Sequence, residues 1–269
     1  MKVHTLGSSA RWLLATVGAA AAAYAAYVSV TWYRYGDAKR PTPDEQDPLL
    51  DRFMPAYEVV ERHRIRVSAT PAFTLAAARE QDIQTPIARA IFRAREMLLG
   101  ATPPDRSPSG GLLAQVLALG WGVLAEVEDR ETVVGAVTKP WEADVIFRAL
   151  PPGEFAAFAE PGYVKIVWTL RADPVGWHES IFRTETRAAA TDAAARAKFR
   201  RYWAFFSPGI SLIRWASLRP MKADAERRAA AQRPTAGGGR FAPSRPRVSA
   251  GQVTHAELDV QEVAGTVQM

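Results

Sequence analysis

Between Trp12 and Tyr33 the chain runs 22 residues without a charged side chain. Coiled as a helix at about 1.5 Å per residue, that stretch is roughly 33 Å long, enough to cross a bilayer core of about 30 Å. Three readings are open: a retained span, a cleaved secretory signal, or a buried helix. Residues 1–11 are short and basic, with Lys2 and Arg11, and Ala21, Ala23, Ala25 and Ala26 supply small residues for a cleavage site. Against cleavage, the apolar run continues through Tyr27, Val28, Val30, Trp32 and Tyr33, past the roughly 7–15 residues of a signal core. Trp12 at one end and Trp32 and Tyr33 at the other stand where an interfacial aromatic belt belongs. These features favour a single transmembrane helix over residues 12–33, with the lipid bilayer as a partner. Arg34, Lys39 and Arg40 after the span nearly balance Lys2 and Arg11 before it, so the excess of basic residues that orients most spans leaves the membrane side open.

Beyond the span, a linker is expected over residues 34–54, because RPTPDEQDP (Arg40–Pro48) carries three prolines and no periodicity. A folded domain is expected over residues 55–230, large enough for a sizeable core. A disordered tail is expected over residues 231–269, where Gly237–Gly239, Pro234, Pro243 and Pro246 displace any apolar pattern. The chain has no cysteine, which excludes disulfides and thiolate-metal sites. Net charge is +6, and nine basic against three acidic residues concentrate that excess in residues 192–228. A basic helix next to a membrane anchor suits contact with anionic headgroups; a solvated helix face is the plainer alternative.

Within the domain, Tyr57–Ser68 alternates: Tyr57, Val59, His63, Ile65 and Val67 on one face, Glu58, Arg62, Arg64 and Arg66 on the other. That is a half-buried strand with a wet outer face. Thr70–Pro71 and Thr85–Pro86 open two helices, Pro71–Gln81 and one closed by Gly100. Residues 101–111 read as a loop. Trp121–Val127 and Thr132–Lys139 form a hairpin with Trp121, Val123, Ala125 and Val127 as its apolar face. Short strands are expected at Asp144–Leu150 and Glu154–Ala159. A strong one follows at Tyr163–Ala172, with Val164, Ile166, Trp168 and Leu170 on one face, then a turn at Asp173–Gly176 and a strand at His178–Ala189. Thr191 is placed as the cap of a long helix whose apolar stripe runs from Phe199 to Leu218 and which Pro208–Gly209 should kink or interrupt.

Residues able to do chemistry are sparse. No two of His4, His63, His178 and His255 have metal-ligand spacing. Glu126 and Glu128 lie two apart on one strand face, a candidate carboxylate pair, but the opposite face is the apolar one, so they should face water. Neither Gly110–Gly111 nor Gly237–Gly239 has the strand-to-helix setting of a phosphate loop. Nucleic-acid binding needs basic and aromatic residues on one exposed surface; the aromatics of the C-terminal helix fall mainly on its apolar stripe, so no nucleic-acid partner is expected. No cofactor or metal is expected.

The order of elements is a strand, two helices, five or six antiparallel strands, and a long amphipathic C-terminal helix. With the stretches VGAVTKPW (Val134–Trp141), FAEPGYVKIVW (Phe158–Trp168) and YWAFFSPGISLIRWASL (Tyr202–Leu218), the chain from about Tyr57 to Arg228 resembles the SRPBCC superfamily. That superfamily includes the START lipid-transfer domains, the birch-pollen-allergen-like proteins and the polyketide cyclase/dehydrase-like proteins; the likeness is to an uncharacterised bacterial branch. The resemblance implies an α+β helix-grip fold, a curved antiparallel sheet wrapped around the long helix with a cavity between them. The span ahead of it departs from the simplest members and, read with the bacterial likeness, sets the expectation of a single-pass protein of the bacterial cell membrane. It carries over no catalytic residue.

A cavity of this kind would be walled by His63, Ile65, Val67, Val164, Ile166, Trp168, Trp203 and Phe206. The leading expectation is non-covalent binding of a small hydrophobic ligand, lipid or polyketide-like. Two alternatives stand beside it: a cyclase- or dehydratase-type enzyme using His63, and a membrane-tethered interaction scaffold.

Overall fold

β-Branched and aromatic residues alternating with small or polar ones build most of the strands, and proline opens four of the helices. In the computed structural model, which describes residues 8–82, 85–100 and 110–232, the apolar N-terminal stretch is helix α1 (Ser8–Arg34). It leads through a 3-10 turn at Pro43–Glu45 to α2 (Pro48–Asp51). Strand β1 (Val59–Val67), helices α3 (Pro71–Glu80), α4 (Pro86–Leu99) and α5 (Leu112–Ala118) follow. Next come β2 (Gly122–Val127), β3 (Glu131–Thr138), β4 (Phe147–Arg148), α6 (Pro152–Phe155), β5 (Val164–Gly176), β6 (Glu179–Ala190) and α7 (Ala193–Gln232). The six strands form one antiparallel sheet in the order β1-β6-β5-β3-β2, with β4 pairing the far end of β3. The sheet curves around α7: this is a helix-grip fold. Of the tail expected at 231–269, residues 231–232 are the end of α7 and the rest lies outside the described residues, as do residues 101–109 of the loop expected at 101–111, residues 1–7 and the side chains of residues 8–11.

Parity along the strands separates two faces. Val59, Ile65 and Val67 of β1, Val164, Ile166, Trp168, Leu170 and Ala172 of β5, and Phe182 and Ala188 of β6 face α7. Two apolar clusters form there. One joins Leu75, Ala77 and Ala78 of α3 to Leu218, Met221 and Ala225 near the C-terminal end of α7. The other gathers Val59, Val164 and Ala188 around Phe199 near its N-terminal end.

The opposite face is not the wet surface that alternation suggests. Leu50, Phe53 and Met54 pack with Leu124, Val133, Val137, Phe155 and Val167, and every residue of β3 is buried. Residues 43–54, expected as part of a linker, thus carry a core of their own. Asp47 caps α2 by accepting from Leu50 N–H at 2.9 Å. Arg187 clamps this segment to the sheet: wholly buried, it donates to Glu185 (2.6 Å), Asp51 (2.5 Å) and the Met54 carbonyl (2.8 Å), and lies 4.7 Å from the Tyr57 ring centre.

Other expectations need correction. Glu154–Ala159 is no strand: Pro151 and Pro152 preset the first turn of α6, where Glu154 N–H bonds the Pro151 carbonyl. A bulge between Val123 and Ala125 breaks the alternation of β2, so Leu124 is buried while Val123 and Val127 are exposed. Asp173–Gly176 continues β5 rather than turning, because the ladder to β6 runs on to Gly176↔Glu179. The cap of α7 is Asp192, which accepts from Ala195 N–H at 2.9 Å; Thr191 instead pairs with Tyr163. Helix α7 runs uninterrupted through Pro208 and Pro220. Helix α5 is an addition that the sequence reading lacks.

Two consequences are measurable. Removing one partner of a buried ion network costs about 3–5 kcal/mol, so Arg187→Ala is expected to lose that much in denaturant unfolding and to expose residues 43–57 to proteolysis. Glu131 is the second case. Burial and the neighbouring Asp47 carboxyl push its pKa from 4.5 up to about 8. Between those values the folded chain holds a proton that the unfolded chain has released, so stability falls as pH rises through that window. Glu131→Gln, which still accepts from Thr169, is expected to flatten the fall; melting temperatures of both proteins across the window test it.

Candidate functional site

Between the two apolar clusters under α7 the sheet turns polar. Strand parity places Glu61 and His63 of β1 on the α7 face, directly opposite Thr186 and Thr184 of β6. Valine and isoleucine bracket them in sequence, so the polar pair sits in the middle of an otherwise apolar face. From above, α7 contributes Ser211 and Arg214. His63 Nε2 lies 3.1 Å from Glu61 Oε1. Arg214 donates to Thr184 Oγ1 at 3.2 Å, places Nε 4.0 Å from Glu61 Oε2, and holds its guanidinium 5.5 Å from the Trp168 ring centre. Trp168 packs edge-on to Trp121 at 6.3 Å and closes one side of the strip.

The electrostatics follow from burial and pairing. Burial pushes the Glu61 carboxyl pKa up, but His63, Arg214 and Ser211 outweigh it, leaving it below the ordinary 4.5. Glu61 is therefore ionised at neutral pH. Burial pulls the Arg214 pKa down, and Glu61 opposes it; the guanidinium remains charged. Two buried atoms make no hydrogen bond here: Glu61 Oε2, which faces Arg214 Nε at 4.0 Å, and Thr186 Oγ1. They belong to residues directly opposed across the β1–β6 ladder. Such orphans are rare because each forfeits its hydration on burial.

The expected cavity wall divides. His63 and Trp168 border the polar strip. Val67 and Val164 are fully buried in the two apolar clusters, with Ile65 and Ile166 packed against them. Trp203 packs on Phe199 at 5.9 Å, and Phe206 stacks on Tyr202 at 4.9 Å. Two recesses stand out among the described residues, and neither is walled by these apolar side chains. One, of about 400 Å³, lies between Tyr35, Gly36 and Glu58 and the first turns of α7 at Arg196 and Arg200. The other, of about 150 Å³, lies along β1 and β6 and includes His63 and Thr184 with Glu45, Arg62, Arg64, Arg183 and Glu185.

Glu126 pairs with Arg79 at 2.5 Å and Glu128 lies exposed in the β2–β3 turn, so they form no carboxylate site. His178 is exposed at the β5–β6 turn. Among the described residues no three His, Cys, Asp or Glu side chains gather to hold a metal. Glu61, Thr184, Thr186, Ser211 and Arg214 are absent from the sequence-based site. Two signals existed: Glu61 has the same parity as His63, and Arg214 interrupts the apolar stripe between Ile210 and Leu218.

No protein-family model matches the sequence, and no curated protein matches it. Solved structures to which the chain bears a distant likeness include a hypothetical protein from Helicobacter pylori, 8% identical with a TM-score of 0.35, the match covering 70% of this chain and 99% of that one. Norcoclaurine synthase from Thalictrum flavum is 10% identical with a TM-score of 0.28, covering 73% and 99%. The Zhui aromatase/cyclase from Streptomyces sp. R1128 is 13% identical with a TM-score of 0.24, covering 63% and 94%. Likenesses this distant carry no argument about activity.

Arg214→Leu strands the buried Glu61 carboxylate, a change that costs about 3–5 kcal/mol in comparable networks. Because the depressed pKa of Glu61 contributes stability only above the carboxyl range, the deficit should be present at neutral pH and shrink as the pH falls through that range. Adding Glu61→Gln should recover most of it. Thermal unfolding of both variants across that pH span checks the sign.

Proposed function

We propose that the chain is a membrane-anchored helix-grip protein that binds, non-covalently, a small apolar molecule bearing a hydroxyl group. The observation that carries this reading is the orphan pair at the centre of the gripped face, Glu61 Oε2 and Thr186 Oγ1. An ionised carboxylate accepts hydrogen bonds only, so a ligand that satisfies it must donate one. The flanking Trp168, Ile65 and Phe182 suit an apolar body. Sites for such ligands are mostly apolar with a few placed polar groups. Because the apolar side chains pack closely, binding requires the middle of α7 to lift from the sheet. Pro208, which has no N–H to donate to the preceding turn, lies just before the segment that carries Ser211 and Arg214.

The anchor is α1, which over Trp12–Arg34 is long and apolar enough to cross a membrane. A ligand that partitions into lipid would be at its highest concentration there.

The contact between His63 and Glu61 favours a second reading. A carboxylate that orients an imidazole is the arrangement of a general base, and it supports a cyclase- or dehydratase-type enzyme in the same space.

The test is mass spectrometry of organic extracts from the full-length protein, purified from its native membrane, beside the Glu61→Ala variant. A hydroxylated lipid-like species is expected with the parent protein. Hydrogen bonds to charged groups contribute about 1.5–3 kcal/mol, so the variant should retain roughly tenfold less or lower. No bound species in either protein, or equal amounts in both, overturns the reading.

A further inference from the structure

Helix α1 does not stand clear of the domain. Arg200 of α7 donates to the Trp32 carbonyl at 2.9 Å and lies 4.3 Å from the Trp32 ring centre. Tyr27 meets Ser207 at 3.3 Å, the Tyr24 hydroxyl donates to the Phe205 carbonyl at 2.7 Å, and Tyr35 packs on Phe199. Going back along α1 from Trp32 to Tyr24, the contacts advance along α7 from Arg200 to Phe205 and Ser207, so the helices pass in opposite senses. Tyr24–Tyr35 touch α7 along one side while Tyr24, Tyr27, Val30 and Tyr33 stay exposed on the other, so the part of the charge-free stretch that stands clear of α7 is Trp12–Ala23. Those 12 residues span about 18 Å as a helix, well short of a bilayer core of about 30 Å.

The part of α7 that continues in the same direction carries an apolar stripe on its surface. Phe205, Leu212 and Trp215 are 48%, 45% and 59% exposed. At 3.6 residues per turn their spacing of seven and three sets them on one side of the helix with Pro208. On that same side, Arg201 precedes the stripe and Arg219 follows it, the latter 5.9 Å from the Trp215 ring centre. Neither arginine has an ion pair among the described residues. Their neighbours are otherwise engaged: Arg196 with Glu58, Lys222 with Glu226, and Arg227 and Arg228 with Asp224. An apolar stripe bracketed by unpaired arginines is the pattern of a helix lying in a membrane interface, with side chains among the acyl chains and cations at the headgroups.

Resting on the anchoring role of α1, we infer that the Arg201–Arg219 face of α7 is itself a bilayer-contacting surface. The domain lies against the leaflet with Phe205, Leu212 and Trp215 in the lipid and Arg201 and Arg219 at anionic headgroups. This removes the length conflict: the docked half of α1 and the stripe beside it enter the interface together. It also sets the segment of α7 that covers the Glu61 strip against the membrane, so a lipid-soluble ligand can pass from leaflet to site without crossing water.

The chain has no cysteine, so single cysteines can be labelled selectively. The full-length protein is reconstituted in phosphatidylcholine vesicles containing phosphatidylglycerol, with an environment-sensitive fluorophore at Val17→Cys, Leu212→Cys or Val175→Cys. Nitroxide-bearing lipids then quench any label that touches acyl chains. Quenching at position 212 is expected to be comparable with position 17 and several-fold above position 175, on the β5–β6 hairpin. Quenching at 17 alone overturns the proposed surface and leaves the anchor standing. No quenching at 17 or 212 overturns both.

Discussion

Arg187 is a charge in a place where charge is expensive, and the architecture is arranged around pairing it through Nε and Nη1, although its buried Nη2 makes no hydrogen bond. Its side chain is fully buried on the face of the sheet away from α7. Burial pushes its pKa down, yet Glu185 and Asp51 more than offset that and hold it above the ordinary value. Glu185 is gripped in turn by Arg62 through two hydrogen bonds of 2.8 and 3.0 Å. Because the other partners, Asp51 and the Met54 carbonyl, belong to the segment between α1 and β1, the guanidinium ties that segment to the sheet centre. This lets Leu50, Phe53 and Met54 cover Val133, Val137 and Val167. Ion networks of this kind rarely add net stability over an apolar replacement, but they penalise any other arrangement of their partners.

With one face sealed by that segment, the other is free to hold the long helix. Helix α7 is held at both ends. Near its start Phe199 packs in an apolar cluster and Arg196 pairs with Glu58 at 2.5 Å. Near its end Met221 and Ala225 pack under α3, Glu226 accepts from Ser68 N–H, and Lys222 reaches the Arg66 carbonyl. Between these fixed ends lies the stretch from Pro208 to Arg214, over a strip of sheet where hydrophobic packing gives way to Glu61, His63, Thr184 and Thr186. A helix clamped by apolar clusters at its ends and seated on a polar strip in its middle gains least from hydrophobic burial in that middle, which is where local opening costs least. Two of the buried polar atoms without a hydrogen-bond partner, Glu61 Oε2 and Thr186 Oγ1, lie there.

How much of this could be read from residues alone depended on how local the signal was. Proline and glycine placed the helices well: Thr85–Pro86 and Gly100 bound α4, with Thr85 accepting from Ala88 N–H at 3.1 Å and Gly100 in the left-handed region at φ 71°. Alternation placed β5 and β6. It failed in β2, where a bulge makes Leu124 the inward residue, and in Asp173–Gly176, where pairing to β6 extends a strand through a Pro–Val–Gly sequence that resembles a turn. At the candidate site, parity put His63 and Trp168 on the right face. Counting only apolar residues on that face left out Glu61, although its parity is the same.

Local chemistry in the sequence therefore determined the elements and their order: charge-free length defines α1, turn and cap residues bound the helices, and two-residue alternation sets the inward face of β1 and β5. Tertiary structure alone decided which surfaces are covered and which charges meet. Residues 43–54 look like a linker because their apolar residues have no period, and they become core only because Arg187, more than 130 positions away, holds them there. Arg214 reads as a flaw in an apolar stripe until the sheet brings Glu61 beneath it. A periodic signal is written in neighbours a few residues apart, whereas burial and ion pairing depend on partners brought together only by the fold.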